Sequence, residues 1–309
     1  SWMKDILKAN IGEYFGKRSR ITNFVITLSM LSAGIILNFF GKEYAFKGFL
    51  IIFLIAFAGR MISSYLVTRQ YEPKFNYENR AYFSLRQFIK KMFFNNFGHF
   101  VIYISLISFA TAVAGPFFAV YMLKDLNFSY IEYTLVILSS ISTIIIFMPF
   151  WGKFADKFGN IRIIKITGFF VPLVPVFWLA SQLMQKTNPL FLVIYLMIVE
   201  GFSGFAWAGF NLSANDFIYD AVSREKMVFC FTYFNILNAF GTFIVASAGG
   251  FIASQNILIF GMKSILVIFI ISAVLRFLIS LIMISFLKEV RKVPDFSFKR
   301  SFKNKIKKI

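Results

Sequence analysis

The sequence is poor in the residues that most catalytic and metal sites require. Its 309 residues include one cysteine, one histidine and 14 acidic side chains against 33 basic ones. A single cysteine excludes a disulfide framework within the chain, and one histidine with one cysteine is too few for a typical zinc site. The chain contains no H-E-x-x-H, P-loop or G-x-S-x-G motif. We therefore expect no enzymatic activity, no cofactor and no metal ion.

Long apolar runs are abundant. The chain is 58% hydrophobic and 20% aromatic, with a mean hydropathy of +0.71, which indicates an integral membrane protein. The alternation of apolar and polar residues that marks a transmembrane β-barrel is not visible in the sequence. The pattern predicts an all-α polytopic bundle of about eight transmembrane helices, since about 20 apolar residues span a bilayer. These spans are 21–40, 48–68, 98–123, 131–151, 163–184, 189–213, 227–254 and 264–287.

The basic residues explain where the net charge of +19 lies. Of the 33 lysines and arginines, 26 fall on one set of alternate connections, with Lys165 at the start of the fifth span counted among them, and five fall on the other, while Arg60 and Arg276 lie deeper inside spans. By the positive-inside rule the richer face is cytoplasmic, and both termini lie on it. The charge is therefore explained by membrane topology, and we expect no nucleic-acid partner.

The connection between the fourth and fifth spans contains the sequence WGKFADKFGNIR. We predict a tight basic turn in which Gly152 permits close helix packing and Gly159 supplies a backbone position that needs no Cβ. Asp156 lies among cations such as Lys157 and Arg162, where a carboxylate can pair locally or face a helix N-terminus. An ordinary basic turn with an incidental acid is the alternative.

The chain resembles the transporters of the major facilitator superfamily, whose G-x-x-x-D-[RK]-x-G-x-[RK] loop is reproduced by Gly152, Asp156, Lys157, Gly159 and Arg162. A second resemblance, to the stretch that joins helices four and five of that family, is carried by Trp2, Met3, Asp5, Phe15, Gly16, Arg18, Arg20 and Ile21. The resemblance implies a chain truncated at its N-terminus that carries helices five to twelve. It would hold an incomplete N-terminal half and a complete six-helix C-terminal half.

The corresponding domains are the end of the N-terminal bundle at 1–68, a cytoplasmic linker at 69–97, the C-terminal bundle at 98–287 and a basic cytoplasmic tail at 288–309. Within the linker an apolar stripe at helical spacing predicts a basic amphipathic helix in the headgroup layer. That stripe consists of Leu85, Phe88, Ile89 and Met92. The tail is predicted to be disordered, and the charged turn at 216–225 to be solvated.

Two arginines lie within predicted spans, where a charge is costly unless it pairs, snorkels or faces water. Arg60 in the second span and Arg276 in the eighth have similar neighbours, which suggests that the two spans are equivalent members of a repeat. A chance match in apolar sequence is the alternative. Pro172 and Pro175 are predicted to kink the fifth span.

The sixth span contains the main candidate for a functional residue. Glu200 lies in its apolar middle, where an ionisable side chain marks a candidate site. Trp207 and Asn211 follow on the same face, and Asn235 and Asn238 share a face of the seventh span. These residues are candidates for substrate binding or coupling, and a purely structural Glu200 fits the sequence equally well.

The sequence favours a secondary transporter of a small solute that works by alternating access, with ion or proton coupling. A receptor or scaffold of the same fold is the alternative, and a membrane enzyme fits less well. Asp156 would close the cytoplasmic gate by approaching the start of the first span at 18–21. The expected setting is the cytoplasmic membrane, as a monomer, with anionic lipid headgroups at the amphipathic linker and the C-terminal tail.

Overall fold

A computed structural model describes residues 11–41, 43–70, 83–184, 188–255, 258–259 and 262–291. Almost all of these residues are helical, and two strands of two residues each form a short antiparallel hairpin. The helices and strands are α1 Ile11–Phe40, α2 Ala45–Thr68, α3 Leu85–Met92, α4 Asn96–Val120, α5 Tyr130–Phe158, α6 Asn160–Phe170, α7 Leu173–Met184, α8 Pro189–Ala221, α9 Arg224–Ser254, β1 Leu258–Ile259, β2 Met262–Lys263 and α10 Ser264–Met283.

The long apolar helices confirm the predicted fold class. Among the described residues, seven helices are long and apolar enough to cross a membrane, and Phe24–Phe40 in α1 is a shorter apolar segment that matches the first predicted span. The seven are Ala45–Thr68, Asn96–Asp125, Tyr130–Phe158, Asn160–Met184, Pro189–Ala221, Lys226–Ser254 and Ser264–Phe286. The chain is therefore a multi-pass integral membrane protein.

Two compact units are distinguished by their internal contacts. The first comprises the described residues within Ser1–Asn79 and Met122–Leu138, and in it α1 packs against α2. The second comprises those within Arg80–Tyr121 and Ser139–Ile309. In the second unit α4 packs along α9 and α10, while α8 packs along α6 and α7. The second unit contains the candidate site.

The predicted turn between the fourth and fifth spans is shorter than the sequence pattern suggested. Helix α5 continues through the motif to Phe158, and α6 begins at Asn160, so Gly159 alone separates the two helices. Gly159 has φ +88°, a backbone conformation that glycine adopts without steric cost. A Cβ there would also collide with the Glu289 carboxylate. The predicted need for glycine at this position is confirmed.

Gly152 was predicted to permit close helix packing, but a Cβ there would meet only a leucine methyl at 3.8 Å. The close approaches between helices occur instead at glycines of α8. A Cβ at Gly204 would collide with the backbone of Ser140, and one at Gly209 would lie 2.7 Å from the Trp151 ring. Small residues that bring two backbones together are a common means of packing membrane helices. The glycines of α8 therefore hold α5 close to it.

The predicted amphipathic helix of the linker is present as α3. Ser84 and Gln87 form a capping box at its N-terminus, which satisfies two backbone amides that the helix leaves unpaired. Phe88 and Met92 are buried in a cluster with residues of α4, α8 and α9, whereas Ile89 is 37% exposed. Much of the apolar stripe therefore packs against protein rather than lying in the headgroup layer, because α4 and α9 offer it an apolar surface.

Candidate functional site

Glu200 lies in a polar cluster built by residues of the second unit on four helices. The indole nitrogen Nε1 of Trp178 on α7 donates a hydrogen bond of 3.1 Å to Glu200 Oε1. The Ser140 hydroxyl on α5 forms a second hydrogen bond, and the charge of Arg276 on α10 acts on the carboxylate. Trp178 is fully buried. The two intramembrane charges that the sequence marked separately, Glu200 and Arg276, therefore interact electrostatically.

Arg276 is itself almost completely enclosed, with 1% of its surface exposed. Its Nη1 donates to the carbonyl oxygen of Val171 over 3.3 Å. Its Nε and Nη2 are buried and have no hydrogen-bond partner among the described residues. A buried charge is costly without compensation, and Glu200 is the acidic residue whose charge acts on Arg276.

The two prolines of the fifth span explain why Arg276 finds a free carbonyl. In a continuous helix the amide of residue 175 would donate to Val171 O, and the amide of residue 172 to Gly168 O. Pro175 and Pro172 have no amide hydrogen, and the helix is interrupted between α6 and α7. The predicted kink is thus present as an interruption that frees two carbonyl oxygens.

Both freed carbonyls are satisfied from one face of α10. Arg276 donates to Val171 O, and the Ser280 hydroxyl donates to Gly168 O over 2.8 Å. Arg276 and Ser280 are four residues apart and therefore project from the same side of the helix. The hydroxyl of Tyr103 on α4 lies 3.3 Å from Ser280 Oγ. Arg276 consequently has a structural contact in addition to its electrostatic interaction with Glu200.

The other candidates on α8 lie further along the helix than Glu200. Trp207 and Asn211 are seven and eleven residues on, about 10 Å and 16 Å along the helix axis. Trp207 is half-buried and packs edge-on against Phe210 at 5.4 Å, while the side chain of Asn211 is exposed. Their role in a pocket stays a prediction, and they do not belong to the cluster around Glu200.

The candidate asparagines of α9 differ from each other. Asn235 is exposed, whereas Asn238 is half-buried, and its Oδ1 has no hydrogen-bond partner within the described residues. Arg60, the second intramembrane arginine, is exposed on α2, in contrast to buried Arg276. The equivalence of the second and eighth spans stays a prediction.

The motif at the end of α5 belongs to a second polar group. Asp156 is 82% exposed and lies 3.6 Å from Arg291, which also donates through Nε to Asp220 at 2.6 Å. The Asn160 side chain donates to the same Asp220 oxygen over 2.9 Å. The hydrogen bond with Asp220 raises the pKa of the Arg291 guanidinium above its ordinary value.

The remaining cations of the motif lie against an aromatic ring. Lys157 Nζ and the Arg162 guanidinium are 5.1 Å and 5.9 Å from the centre of the Phe158 ring, within the range of cation–π attraction. The predicted approach of Asp156 to residues 18–21 stays a prediction.

Sequence reasoning missed the part that residues after α10 play. The amide of Ile161 donates to Glu289 Oε2 over 2.9 Å, so Glu289 caps α6. The side chain of Asn96 exchanges two hydrogen bonds with the backbone of Lys288. The prediction of a disordered tail is therefore wrong for 288–291, and residues 292–309 lie outside the described part. The prediction of a solvated turn is also wrong for Asp220, which is hydrogen-bonded by Asn160 and Arg291. The signal for the contacts after α10 was Glu289, an acid two residues beyond the last predicted span.

No group of three metal-binding side chains is found within the described ranges.

A family model described as Major Facilitator Superfamily matches residues 1–246 and, separately, residues 100–308. No curated protein and no solved structure matches the chain.

Proposed function

Because the chain belongs to the Major Facilitator Superfamily, and so to a family of membrane transporters, we propose that it is a secondary active transporter of a small solute. It would work by alternating access in the cytoplasmic membrane as a monomer, with both termini in the cytosol. Transport would be coupled to protons or another ion at Glu200. The observation that carries the proposal is the polar cluster inside the spans, in which Trp178 donates a hydrogen bond to Glu200 and Arg276 is almost completely enclosed.

The chemistry of the cluster fits a coupling role. Protonation of Glu200 would remove the negative charge that compensates Arg276, and leave an enclosed cation with one hydrogen bond to a carbonyl. Such a change in charge balance is strongly felt in a low-dielectric interior. The contacts of α5, α7, α8 and α10 around the cluster would therefore depend on whether Glu200 carries a proton. A two-state helical bundle could use that dependence to couple protonation to opening.

The remaining candidates have supporting parts in the proposal. Trp207, Asn211, Asn235 and Asn238 would shape the solute pocket on α8 and α9. The motif around Asp156 would contribute to a cytoplasmic gate, and its contact with Arg291 supports a role at that end of the helices. Reporter fusions at both ends of the chain would test the orientation, because a reporter active on only one side of the membrane should give the same result at each terminus.

The decisive experiment measures uptake in proteoliposomes that contain the full-length protein. A panel of labelled sugars, amino acids and carboxylates is screened first, and any solute that accumulates under an imposed pH gradient is then used. Glu200→Gln should abolish this accumulation and preserve solute exchange without a gradient. Glu43→Gln, which alters an exposed carboxylate between α1 and α2, is the matched control. Normal gradient-driven accumulation by Glu200→Gln would remove Glu200 from the mechanism.

A second pair of variants separates coupling from a purely structural role. If Glu200 only neutralises Arg276, Glu200→Gln should lower thermal stability, and adding Arg276→Gln should restore transport and the part of the stability that does not depend on the bond to Val171 O. If Glu200 carries the coupling ion, the double variant should regain that part of the stability and still fail to accumulate solute. Absence of any flux by the wild-type protein would instead favour a receptor or scaffold of the same fold.

A further inference from the structure

A cavity of about 610 Å³ lies at the end of the second unit where α3, the start of α4 and the α8–α9 turn meet. Its volume falls within the range of pockets that hold organic ligands. None of the residues assigned to transport or gating lines it. By the charge distribution of the connections, this end of the helices is the cytoplasmic one.

The lining of the cavity combines a positively charged rim with an apolar wall, as the binding of an anionic amphiphile requires. Lys91 of α3 and Lys226 of α9 lie at its rim, and both side chains are exposed. Its apolar wall includes Phe88, Met92 and Phe97. No aspartate or glutamate whose side chain is described contributes to the lining, and neither lysine forms an ion pair with such a residue. The positive charge of the rim thus has no acidic partner among the described side chains.

The wall is held in place by specific contacts. Asn95 caps α4 by accepting a hydrogen bond of 2.6 Å from the Gly98 amide, and a Cβ at Gly98 would collide with the backbone of Met92. The Tyr233 hydroxyl donates to the carbonyl of Phe83 over 2.7 Å. Helix α3 is therefore fixed against α4 and α9, and the cavity between them is part of the packed structure.

We propose that this cavity binds one anionic phospholipid. The phosphate lies between Lys91 and Lys226, and the first part of an acyl chain lies against Phe88, Met92 and Phe97. A phosphodiester satisfies two ammonium groups that form no ion pair with a described side chain, and the acyl chain covers aromatic and thioether surface. Juxtamembrane lysines attract anionic headgroups, and here two of them flank a wall that accepts the attached chain. A soluble phosphate compound would use the lysines and leave that wall uncovered.

The single cysteine makes the proposal directly testable. Cys230 lines the cavity and is buried, and it is the one cysteine of the chain. The full chain, purified in a neutral detergent, is treated with N-ethylmaleimide in micelles that contain dioleoylphosphatidylglycerol, dioleoylphosphatidylcholine or free glycerol phosphate. Intact mass gives the labelling rate. Phosphatidylglycerol should slow labelling at least tenfold more than either other addition.

The matched variants change two charges at or away from the rim. Lys91→Gln with Lys226→Gln should weaken phosphatidylglycerol binding about 10- to 30-fold, from the loss of two lysine contacts. Lys90→Gln with Lys288→Gln alters two exposed lysines outside the lining and should bind like wild type. Native mass spectrometry should retain one phosphatidylglycerol on the wild type and on the control variant.

Three results would overturn the proposal. Equal protection by phosphatidylcholine would show that the lysines do not select the headgroup. Equal protection by glycerol phosphate would assign the cavity to a soluble anion. Unchanged phosphatidylglycerol protection in the rim variant would show that the lipid binds elsewhere. A rim variant that fails to fold would expose buried Cys230 and label faster than wild type without lipid, which separates misfolding from loss of binding.

Discussion

Replacing Ser280 with alanine tests whether α10 stabilises the bundle by satisfying the carbonyls that the prolines free. The substitution removes the 2.8 Å hydrogen bond to Gly168 O and the 3.3 Å contact with the Tyr103 hydroxyl. Tyr103 and Ser280 are both fully buried, so water does not easily replace either bond. Two interhelical bonds of this kind predict a loss of about 1–3 kcal/mol in the free energy of unfolding.

The assay is equilibrium unfolding of the full chain in mixed detergent micelles, followed by circular dichroism. Ser285→Ala is the control, because the Ser285 hydroxyl is exposed and bonds only locally to Ile282 O; we expect a change under about 0.5 kcal/mol. Adding Pro172→Ala to Ser280→Ala returns an amide donor to Gly168 O and should recover part of the loss. The reasoning is refuted if Ser280→Ala costs no more than Ser285→Ala.

Two further predictions concern packing and surface charge. Gly204→Ala should lower the free energy of unfolding by about 1–3 kcal/mol, because its Cβ meets the backbone of α5, whereas Gly59→Ala meets no atom within 4 Å and should not destabilise; equal effects on unfolding would contradict this. Asp220→Asn should cost up to about 1 kcal/mol, less at high salt, and Asp156→Asn close to nothing, since Asp220 is 19% exposed and Asp156 82%. A larger loss of unfolding free energy for Asp156→Asn than for Asp220→Asn would contradict that ranking of the two contacts with Arg291.

Much of the architecture could be predicted because membrane constraints act locally on the sequence. Apolar runs and the side on which lysines and arginines fall identify the spans without knowledge of tertiary contacts. The backbone requirement at Gly159 follows in the same way from a glycine between two helices. Phe88 and Met92 were placed correctly on one helix face, but their partner was not, because lipid and an apolar protein surface select the same stripe.

The candidate site was only partly predictable, because its contacts join distant parts of the sequence. A carboxylate or guanidinium inside an apolar run is visible at once, yet nothing in the chain order shows that the charge of Arg276 acts on Glu200. The role of Pro172 and Pro175 needed the neighbouring helix, since a freed carbonyl becomes informative when its new donor is known. Arg291 resembled any other residue of a basic tail until Asp220 was found beside it.

The single residue between α5 and α6 limits how this region can evolve and move. If one added residue joined either helix, it would rotate α6 by about 100° relative to α5 and carry the Ile161 amide away from Glu289. Changes in length should therefore be tolerated much less here than in the connection between α2 and α3. Any rotation of the C-terminal end of α5 must reach α6 through the φ and ψ angles of Gly159, because no other residue separates the two helices.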